Sequence, residues 1–176
     1  IAAPVQWSRQ VVSDHKARAV IANAAVANAC TGIDGLTDSQ CEAEHVATLV
    51  GCQTDEVVVA STGVIGVRLD MPSILVGATT AHTSLDRGDA VDESAARAIM
   101  TTDTVPKSAT VERNGTRFGG IAKGAGMLAP QLATMLVFLT TDAVVDPEEF
   151  QDALAQACDV TFSRVDSDAC MSTNDT

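Results

Sequence analysis

The stretch at residues 119–136 constrains the fold most, because its glycines favour a turn directly before an apolar run typical of a β-strand. Thr134 lies between a small residue, Ala133, and that run. Lys123 lies in the glycine-rich turn just upstream. The pattern therefore predicts a glycine turn that leads into a strand, with Thr134 immediately before the strand.

Thr134 is the strongest candidate for a nucleophile in the sequence. Cleavage of the Ala133–Thr134 peptide bond would leave a free α-amine on the residue that carries the hydroxyl. An α-amine has a pKa near ~8, so it accepts a proton from that hydroxyl at neutral pH. Such a nucleophile needs no histidine or carboxylate partner.

The remaining pattern is a mixture of isolated strands, one hairpin and helices between them, which favours mixed α/β or α+β layers over a helical bundle. No linker rich in Ser, Gly or Pro divides the chain, so we predict a single domain over residues 1–176. Loops are predicted at residues 23–35 and 79–92. Strands are predicted at 19–22, 57–60 and 135–140, and a hairpin at Asn114-Gly115. One helix is predicted to be capped by Thr37 and stopped by Gly51, and two more are predicted at 73–78 and 93–99. A last helix is predicted from Asp146, with Leu154, Ala157 and Cys158 facing inward.

Composition excludes several classes of partner. The net charge of −12 disfavours duplex DNA and anionic membrane surfaces, and no run of about 18 uncharged apolar residues predicts a membrane span. The five cysteines are an odd number without a CxxC motif, so we predict neither a disulfide framework nor a metal site. We expect buried, reduced thiols, which weakly indicate a reducing compartment.

Three further groups are candidates for the chemistry. Thr62 and Gly63 follow a β-branched run and would offer a hydroxyl and a backbone N–H to an oxyanion, or else form an ordinary strand-ending turn. The Lys123 ammonium would lie near Thr134 and pair with a substrate carboxylate, unless it is a surface lysine. The polar clusters at 101–104 and 172–176 suit polar ligands or plain loops. The glycine turn departs from the phosphate-loop pattern, so nucleotide binding is not predicted.

Together these motifs resemble the ornithine acetyltransferase (bifunctional glutamate N-acetyltransferase) family of arginine biosynthesis. The matching stretches follow the order of the family along nearly the whole chain, at residues 27–32, 60–66, 98–104, 120–130, 133–136 and 172–176. Residues 23–26 read Asn-Ala-Ala-Val, where the family usually shows Asn-Ser-Gly-Asn. Family members also extend beyond both ends, so the chain resembles a segment of a longer, cytoplasmic protein.

The resemblance implies a layered fold similar to that of N-terminal-nucleophile enzymes and a precursor that cleaves itself before a threonine. Ala133 would end an α chain over residues 1–133, and Thr134 would begin a β chain over residues 134–176. Thr62 and Gly63 would form the oxyanion hole, and Thr101, Lys123 and Thr134 would contact substrate. The α and β chains would assemble as a heterotetramer.

The implied reaction transfers the acetyl group of N2-acetylornithine to glutamate through an acetyl-threonine intermediate on Thr134. It needs no cofactor, although some family members also accept acetyl-CoA as a substrate. Two alternatives stay open from the residues alone. One is an amidase or aminopeptidase on the same apparatus, with water as the acceptor. The other is an unprocessed, inactive fragment that only packs against partners.

Overall fold

The chain contains both helices and strands in the computed structural model, which describes residues 1–131 and 133–172. The predicted mixed α/β class is confirmed. The α-helices are α1 (Ala3–Val11), α2 (Gly32–Val50), α3 (Met71–Thr83), α4 (Asp89–Ala98) and α5 (Pro147–Val160). The strands are β1 (Ala19–Val26), β2 (Val57–Val64), β3 (Lys107–Arg113), β4 (Thr116–Lys123) and β5 (Leu136–Thr141). Short 3₁₀ turns lie at Val12–Asp14, Thr54–Glu56 and Phe162–Arg164.

The contacts of the chain group into two compact units. The first unit covers Ile1–Val91, and the second begins at Asp92. The division shows where contacts concentrate, and the expectation of a single domain stays a prediction. The stretch 173–176, part of the last motif, lies outside the described residues.

In the first unit, β1 and β2 form a parallel pair joined through α2. The register runs from Ala19 opposite Val57 to Val26 opposite Val64. Small aliphatic side chains of α2 and β2 fill the core, as the scarcity of aromatic residues requires, and they are Ala43, Val46, Ala47, Val57 and Val59.

Helix α1 is attached to β2 by side-chain hydrogen bonds. The indole of Trp7 donates to the Val57 carbonyl at 3.0 Å, and Ser8 Oγ donates to the Val59 carbonyl at 2.7 Å. The Val59 N–H in turn donates to Ser8 Oγ at 2.9 Å. These bonds give hydrogen-bond partners to the Val57 and Val59 carbonyls and to the Val59 N–H of β2.

The predicted boundaries of α2 are half correct. The helix ends before Gly51, whose φ of 74° is the left-handed conformation common after a helix. However, it begins at Gly32, so the predicted capping box at Thr37 is wrong. Thr37 lies inside the helix, where its hydroxyl donates to the Ile33 carbonyl at 3.2 Å.

Two predicted loops are largely regular structure. Residues 23–26 belong to β1, because the parallel ladder continues to Val26. Much of 79–92 belongs to the end of α3 and the start of α4. In α3 the hydroxyls of Thr79 and Thr80 donate to the Leu75 and Val76 carbonyls at 3.0 and 2.9 Å. The polar side chains therefore bond within the helix rather than interrupting it.

In the second unit, β3, β4 and β5 form an antiparallel sheet in that order. Asn114 and Gly115 have φ values of 53° and 79° between β3 and β4, so the predicted hairpin is confirmed. The predicted strand after Thr134 is also confirmed as β5, which pairs with β4 from Phe118–Thr141 to Lys123–Leu136. The predicted turn is shorter than expected, because Gly119, Gly120 and Lys123 are paired residues of β4 and the connection to β5 begins at Gly124.

The cap of α5 is confirmed, and its predicted inner stripe is correct for two of its three residues. The Asp146 carboxylate accepts the N–H groups of Glu148 and Glu149 at 2.9 and 3.3 Å. Leu154 and Cys158 are half-buried, whereas Ala157 is exposed, and no residue of the helix is fully buried.

The thiols are less buried than predicted. Cys30, Cys41 and Cys170 are exposed, Cys52 and Cys158 are half-buried, and none of the five forms a disulfide in the part of the chain that the structure describes. Within residues 1–131 and 133–172, no helix has the length and apolarity needed to cross a membrane.

Candidate functional site

The loop between β4 and β5, residues 124–135, folds back on itself and is called the glycine loop below. The Thr134 N–H donates to the Met127 carbonyl at 2.8 Å. A Cβ placed on Gly124 would lie 3.3 Å from the Thr134 carbonyl oxygen. The turn therefore brings backbone from its start and its middle against Thr134, as the sequence predicts.

The Thr134 hydroxyl is buried without a hydrogen-bond partner in the described structure. Most buried hydroxyls have a partner, because an unsatisfied polar group costs free energy. A hydroxyl in this state forms no hydrogen bond that would have to be broken before it reacts, which fits the predicted role of nucleophile. That role and the cleavage after Ala133 stay predictions.

Asp103 and Lys107 bind the beginning of the glycine loop. The Asp103 carboxylate accepts the Gly124 N–H at 2.7 Å and the Thr101 N–H at 3.4 Å. Lys107 Nζ donates to the same carboxylate and to the Gly124 carbonyl, the latter at 3.1 Å. Although burial alone would raise the pKa of Asp103, hydrogen bonds from Lys107, Gly124 and Thr101 lower it to about 2. Asp103 is therefore ionised at neutral pH.

A second anchor holds the middle of the loop. Asp168 Oδ2 accepts the Met127 N–H at 2.8 Å, and the Ser167 N–H donates to the Leu128 carbonyl at 2.8 Å. The bond from Met127 is the main reason that the pKa of Asp168 is lowered. Met127 has a φ of 55°, and this bond helps to hold that left-handed conformation. The Met127 carbonyl is the group that receives the Thr134 N–H.

Lys123 and Thr101 are both connected to the Asp103–Gly124 bond, Lys123 as the residue before Gly124 and Thr101 through its N–H to Asp103. Lys123 is the last residue of β4 and is only 3% exposed, so it is not a surface lysine. Thr101 is exposed, and its backbone is bound to Asp103. The second unit therefore collects Thr101, Lys123 and Thr134 around the Asp103–Gly124 bond. Their contacts with substrate remain predictions.

Thr62 and Gly63 lie in the first unit, near the end of β2. The structure continues the strand through them instead of the predicted turn, with Thr62 opposite Ala24 and Gly63 opposite Ala25. Thr62 is 1% exposed. Gly63 has a φ of 132°, and a Cβ there would lie 2.2 Å from the Ala25 carbonyl carbon. Only glycine fits this position without displacing the neighbouring strand.

The motif at residues 27–32 has a structural role that sequence analysis did not assign. Asn28 is fully buried, and its amide donates to the Gly35 carbonyl at 2.9 Å and to Ser39 Oγ at 3.1 Å. Thr31 Oγ1 donates to Asn28 Oδ1 at 2.8 Å. These bonds connect the segment before α2 to the first turns of the helix.

Glu42 is a titratable residue that sequence analysis missed. It is fully buried on the inner face of α2, and neither carboxylate oxygen has a hydrogen-bond partner in the described structure. Burial, with a smaller effect from Asp38, raises its pKa to about 8. Glu42 is three residues after Ser39 and four before Val46, and this spacing places it on the same buried face of the helix.

Asp103 and Asp168 were also not assigned, since each acts on a backbone group 21 or 41 residues away in sequence. An apolar groove of about 300 Å³ lies on the sheet, and it contains none of the predicted site residues. Among the described residues, no group of three or more His, Cys, Asp or Glu is arranged to hold a metal ion.

Comparison with known proteins gives a consistent family. The model of the ArgJ family matches residues 1–176. The arginine biosynthesis bifunctional proteins ArgJ of Bifidobacterium longum and Thermobifida fusca are 52% and 53% identical to the chain. Each alignment covers 99% of this chain and 45% of the relative, so the chain spans less than half the length of these relatives.

Two solved structures are similar as well. The ornithine acetyltransferase of Mycobacterium tuberculosis, complexed with ornithine, has a TM-score of 0.72 and 44% identity over 74% of this chain and 71% of that chain. The arginine biosynthesis bifunctional protein ArgJ of Bacillus halodurans has a TM-score of 0.64 and 34% identity over 77% of this chain and 71% of that chain.

Proposed function

Because the chain belongs to the ArgJ family, we propose that the complete protein transfers an acetyl group from N2-acetylornithine to glutamate in arginine biosynthesis. The observation that carries the proposal is the buried, unpartnered hydroxyl of Thr134 at the end of the glycine loop. The names of the relatives and the ornithine in one solved structure support the choice of substrate.

The first step is cleavage of the chain before Thr134. The hydroxyl oxygen attacks the Ala133 carbonyl carbon, and the acyl chain moves from nitrogen to oxygen. Water then hydrolyses the ester, leaving a carboxylate on Ala133 and an α-amine on Thr134. The Met127 carbonyl, which accepts the Thr134 N–H at 2.8 Å, is placed to accept a hydrogen bond from the new amine.

Acetyl transfer then follows in two half-reactions. The Thr134 amine takes the hydroxyl proton while the oxygen attacks the acetyl carbon of N2-acetylornithine, and ornithine leaves with the proton on its nitrogen. The glutamate amine attacks the acetyl-threonine ester in its turn, and N-acetylglutamate leaves as the hydroxyl is restored. Every atom of the acetyl group passes from one amine to the other through the Thr134 oxygen.

The other predicted residues take supporting roles in this proposal. Thr62 and Gly63 stabilise the negative charge that develops on the acetyl oxygen. Lys123 pairs with a substrate carboxylate. Its burial supports this role because the attraction between opposite charges is stronger where water is excluded. Thr101 contacts the substrate from an exposed position.

The test uses the full-length protein with N2-acetylornithine, with and without glutamate. The proposal expects ornithine and N-acetylglutamate to form in equal amounts, and little ornithine to form without glutamate. Ornithine release that does not depend on glutamate would identify an amidase instead. Intact-mass measurement of the same sample reports whether the Ala133–Thr134 bond is cleaved.

We further propose a cytoplasmic enzyme that assembles as a heterotetramer of its α and β chains and works without a cofactor. Replacing N2-acetylornithine by acetyl-CoA in the same assay tests the second donor. Light scattering of the cleaved protein measures the mass of the assembly, and the mass of a single α–β pair would contradict the tetramer.

A further inference from the structure

Both polar backbone groups of Gly124 are bound by one ion pair. Asp103 accepts the Gly124 N–H at 2.7 Å, and Lys107 donates to the Gly124 carbonyl at 3.1 Å while also pairing with Asp103. The Asp103 side chain is completely buried, whereas that of Lys107 is 44% exposed. Two consecutive peptide groups are therefore held at fixed positions in a loop that contains two glycines.

The same ion pair is connected to three residues of the proposed site. Asp103 also accepts the N–H of Thr101, and the peptide group that it holds joins Lys123 to Gly124. On its other side, Gly124 lies against Thr134: a Cβ at Gly124 would be 3.3 Å from the Thr134 carbonyl oxygen. A shift of Gly124 would therefore move the end of β4 and the backbone of Thr134 together.

We propose that Asp103 and Lys107 are a positioning pair, which fixes the glycine loop so that the Thr134 hydroxyl reaches the carbon that it attacks. The proposal rests on the function proposed above. Neither residue touches the reacting atoms or transfers a proton. A displacement of about 1 Å at a reacting group can lower a rate about 10²-fold, so a rigid loop has a direct effect on turnover.

A purely stabilising role is a weaker explanation of the pair. Replacing a buried ion pair by neutral groups of similar size is often neutral or stabilising, because the charges no longer have to be desolvated. The hydrogen bonds to both backbone groups of Gly124 fix the conformation of the loop, and a purely stabilising role does not explain them.

Three variants of the full-length protein separate the two roles. Asp103→Asn keeps the shape and an acceptor but loses the charge that strengthens the bond from Gly124. Lys107→Met removes the donor to the Gly124 carbonyl and leaves a buried charge unpaired. The double variant removes both charges, so its stability should return toward the wild-type value. Glu93→Gln, which breaks the exposed ion pair of Glu93 with Arg97, is the matched control.

The expected result is a separation of stability from rate. Both single variants and the double variant should cleave the Ala133–Thr134 bond about 10–100-fold more slowly than wild type. The cleaved fraction should show a similarly reduced kcat. Its KM should change less than about 3-fold, because Thr101 and Lys123, the proposed substrate contacts, are still present. The double variant should regain the melting temperature without regaining the rate. Recovery of both in the double variant, or wild-type cleavage in the single variants, would overturn the proposal.

Amide hydrogen exchange keeps this test apart from the proposed function. Residues 124–131 should exchange faster in the Asp103→Asn variant than in wild type or the Glu93→Gln control, whether or not acetyl transfer is detected. If wild type transfers no acetyl group, the proposed function fails, and exchange alone decides whether the pair positions the loop. Unchanged exchange in the variant, beside an active wild type, would refute the positioning pair and leave the function standing.

Discussion

The hydroxyl of Thr134 differs from other threonine hydroxyls of the chain in what surrounds it. In α3 the hydroxyls of Thr79 and Thr80 donate to carbonyls of the preceding turn. The Thr134 hydroxyl is buried and has no such acceptor in the described structure, while its backbone N–H is bound to Met127. The residue type is the same, and the surroundings of the side chain distinguish Thr134 from these helical threonines.

Replacement of that hydroxyl should stop both reactions. Thr134→Ala is expected to abolish cleavage and acetyl transfer, because no oxygen remains to accept the acyl group. Thr134→Ser should retain both at a reduced rate. Intact mass and the glutamate-dependent assay measure the two effects, and Thr79→Ala is the control for loss of a threonine hydroxyl elsewhere. Acetyl transfer by the alanine variant would refute the assignment.

Thr62 is expected to act on the chemical step rather than on binding. Thr62→Ala should lower kcat about 10²–10³-fold if its hydroxyl stabilises the oxyanion. Steady-state kinetics of the cleaved enzyme measure the change, with the exposed helix residue Thr48→Ala as the control. An unchanged kcat would remove Thr62 from the mechanism.

Glu42 should make the stability of the protein depend on pH. Its pKa is raised from 4.5 to about 8 in the folded state, so between these values the folded chain holds a proton that the unfolded chain has released. The stability that Glu42 contributes is therefore fully present below pH 4.5, falls as the pH rises toward 8, and levels above it, a total change on the order of 5 kcal/mol.

Denaturant unfolding between pH 5 and pH 9 measures this dependence. Glu42→Gln should flatten the profile because the amide does not titrate, whereas Glu44→Gln, on the exposed side of the same helix, should leave it unchanged. A profile of the Glu42→Gln variant that parallels wild type would contradict the assignment.

At the scale of elements, backbone approach sets which residues are allowed. The end of β2 lies so close to β1 that Gly63 has no room for a side chain, since a Cβ there would lie 2.2 Å from backbone atoms of Ala25. After α2, Gly51 has a φ of 74° but open space around it. The two glycines thus serve different purposes, since one permits strand contact and the other only a helix end.

These two glycines predict different costs of substitution. Gly51→Ala should lower the free energy of unfolding by about 1 kcal/mol, because only the left-handed backbone is strained. Gly63→Ala should cost more than about 2 kcal/mol, because the added methyl also collides with the backbone of β1. Chemical denaturation of both variants gives the comparison. Equal losses would contradict the close approach of the strands.

At the scale of the whole molecule, the chain carries a net charge of −12 and concentrates its contacts in two units. The segment between α3 and α4, residues 84–88, is exposed and contains Arg87. Other exposed arginines, such as Arg113 and Arg117, lie in paired strands. Accessible backbone without strand pairing is the preferred target of proteases.

Brief digestion with trypsin under native conditions should therefore cut after Arg87 before it cuts the hairpin. Mass spectrometry of the first fragments identifies the site, and Arg87→Gln should remove that product while leaving the folded state unchanged. First cleavage after Arg113 or Arg117 would show that the hairpin opens more readily than the segment between the helices.

Local chemistry was enough to predict several elements from the sequence. Asn114-Gly115 favours the positive φ values of a tight hairpin, and Asp146 before a proline favours the start of a helix. Four β-branched or small residues at 57–60 favour a strand. The prediction that Thr134 is a nucleophile also rests on local features, since its hydroxyl, its neighbour Ala133 and the strand after it are adjacent along the chain.

Contacts between distant segments decided the rest. Residues 23–26 are a strand only because β2 offers a parallel partner, and Glu42 is buried only because α2 packs against that pair. Asp103 and Asp168 reach the glycine loop across 21 and 41 residues. A residue's own propensity carries no information about such partners, because hydrogen bonding and burial depend on which segments meet after the chain has folded.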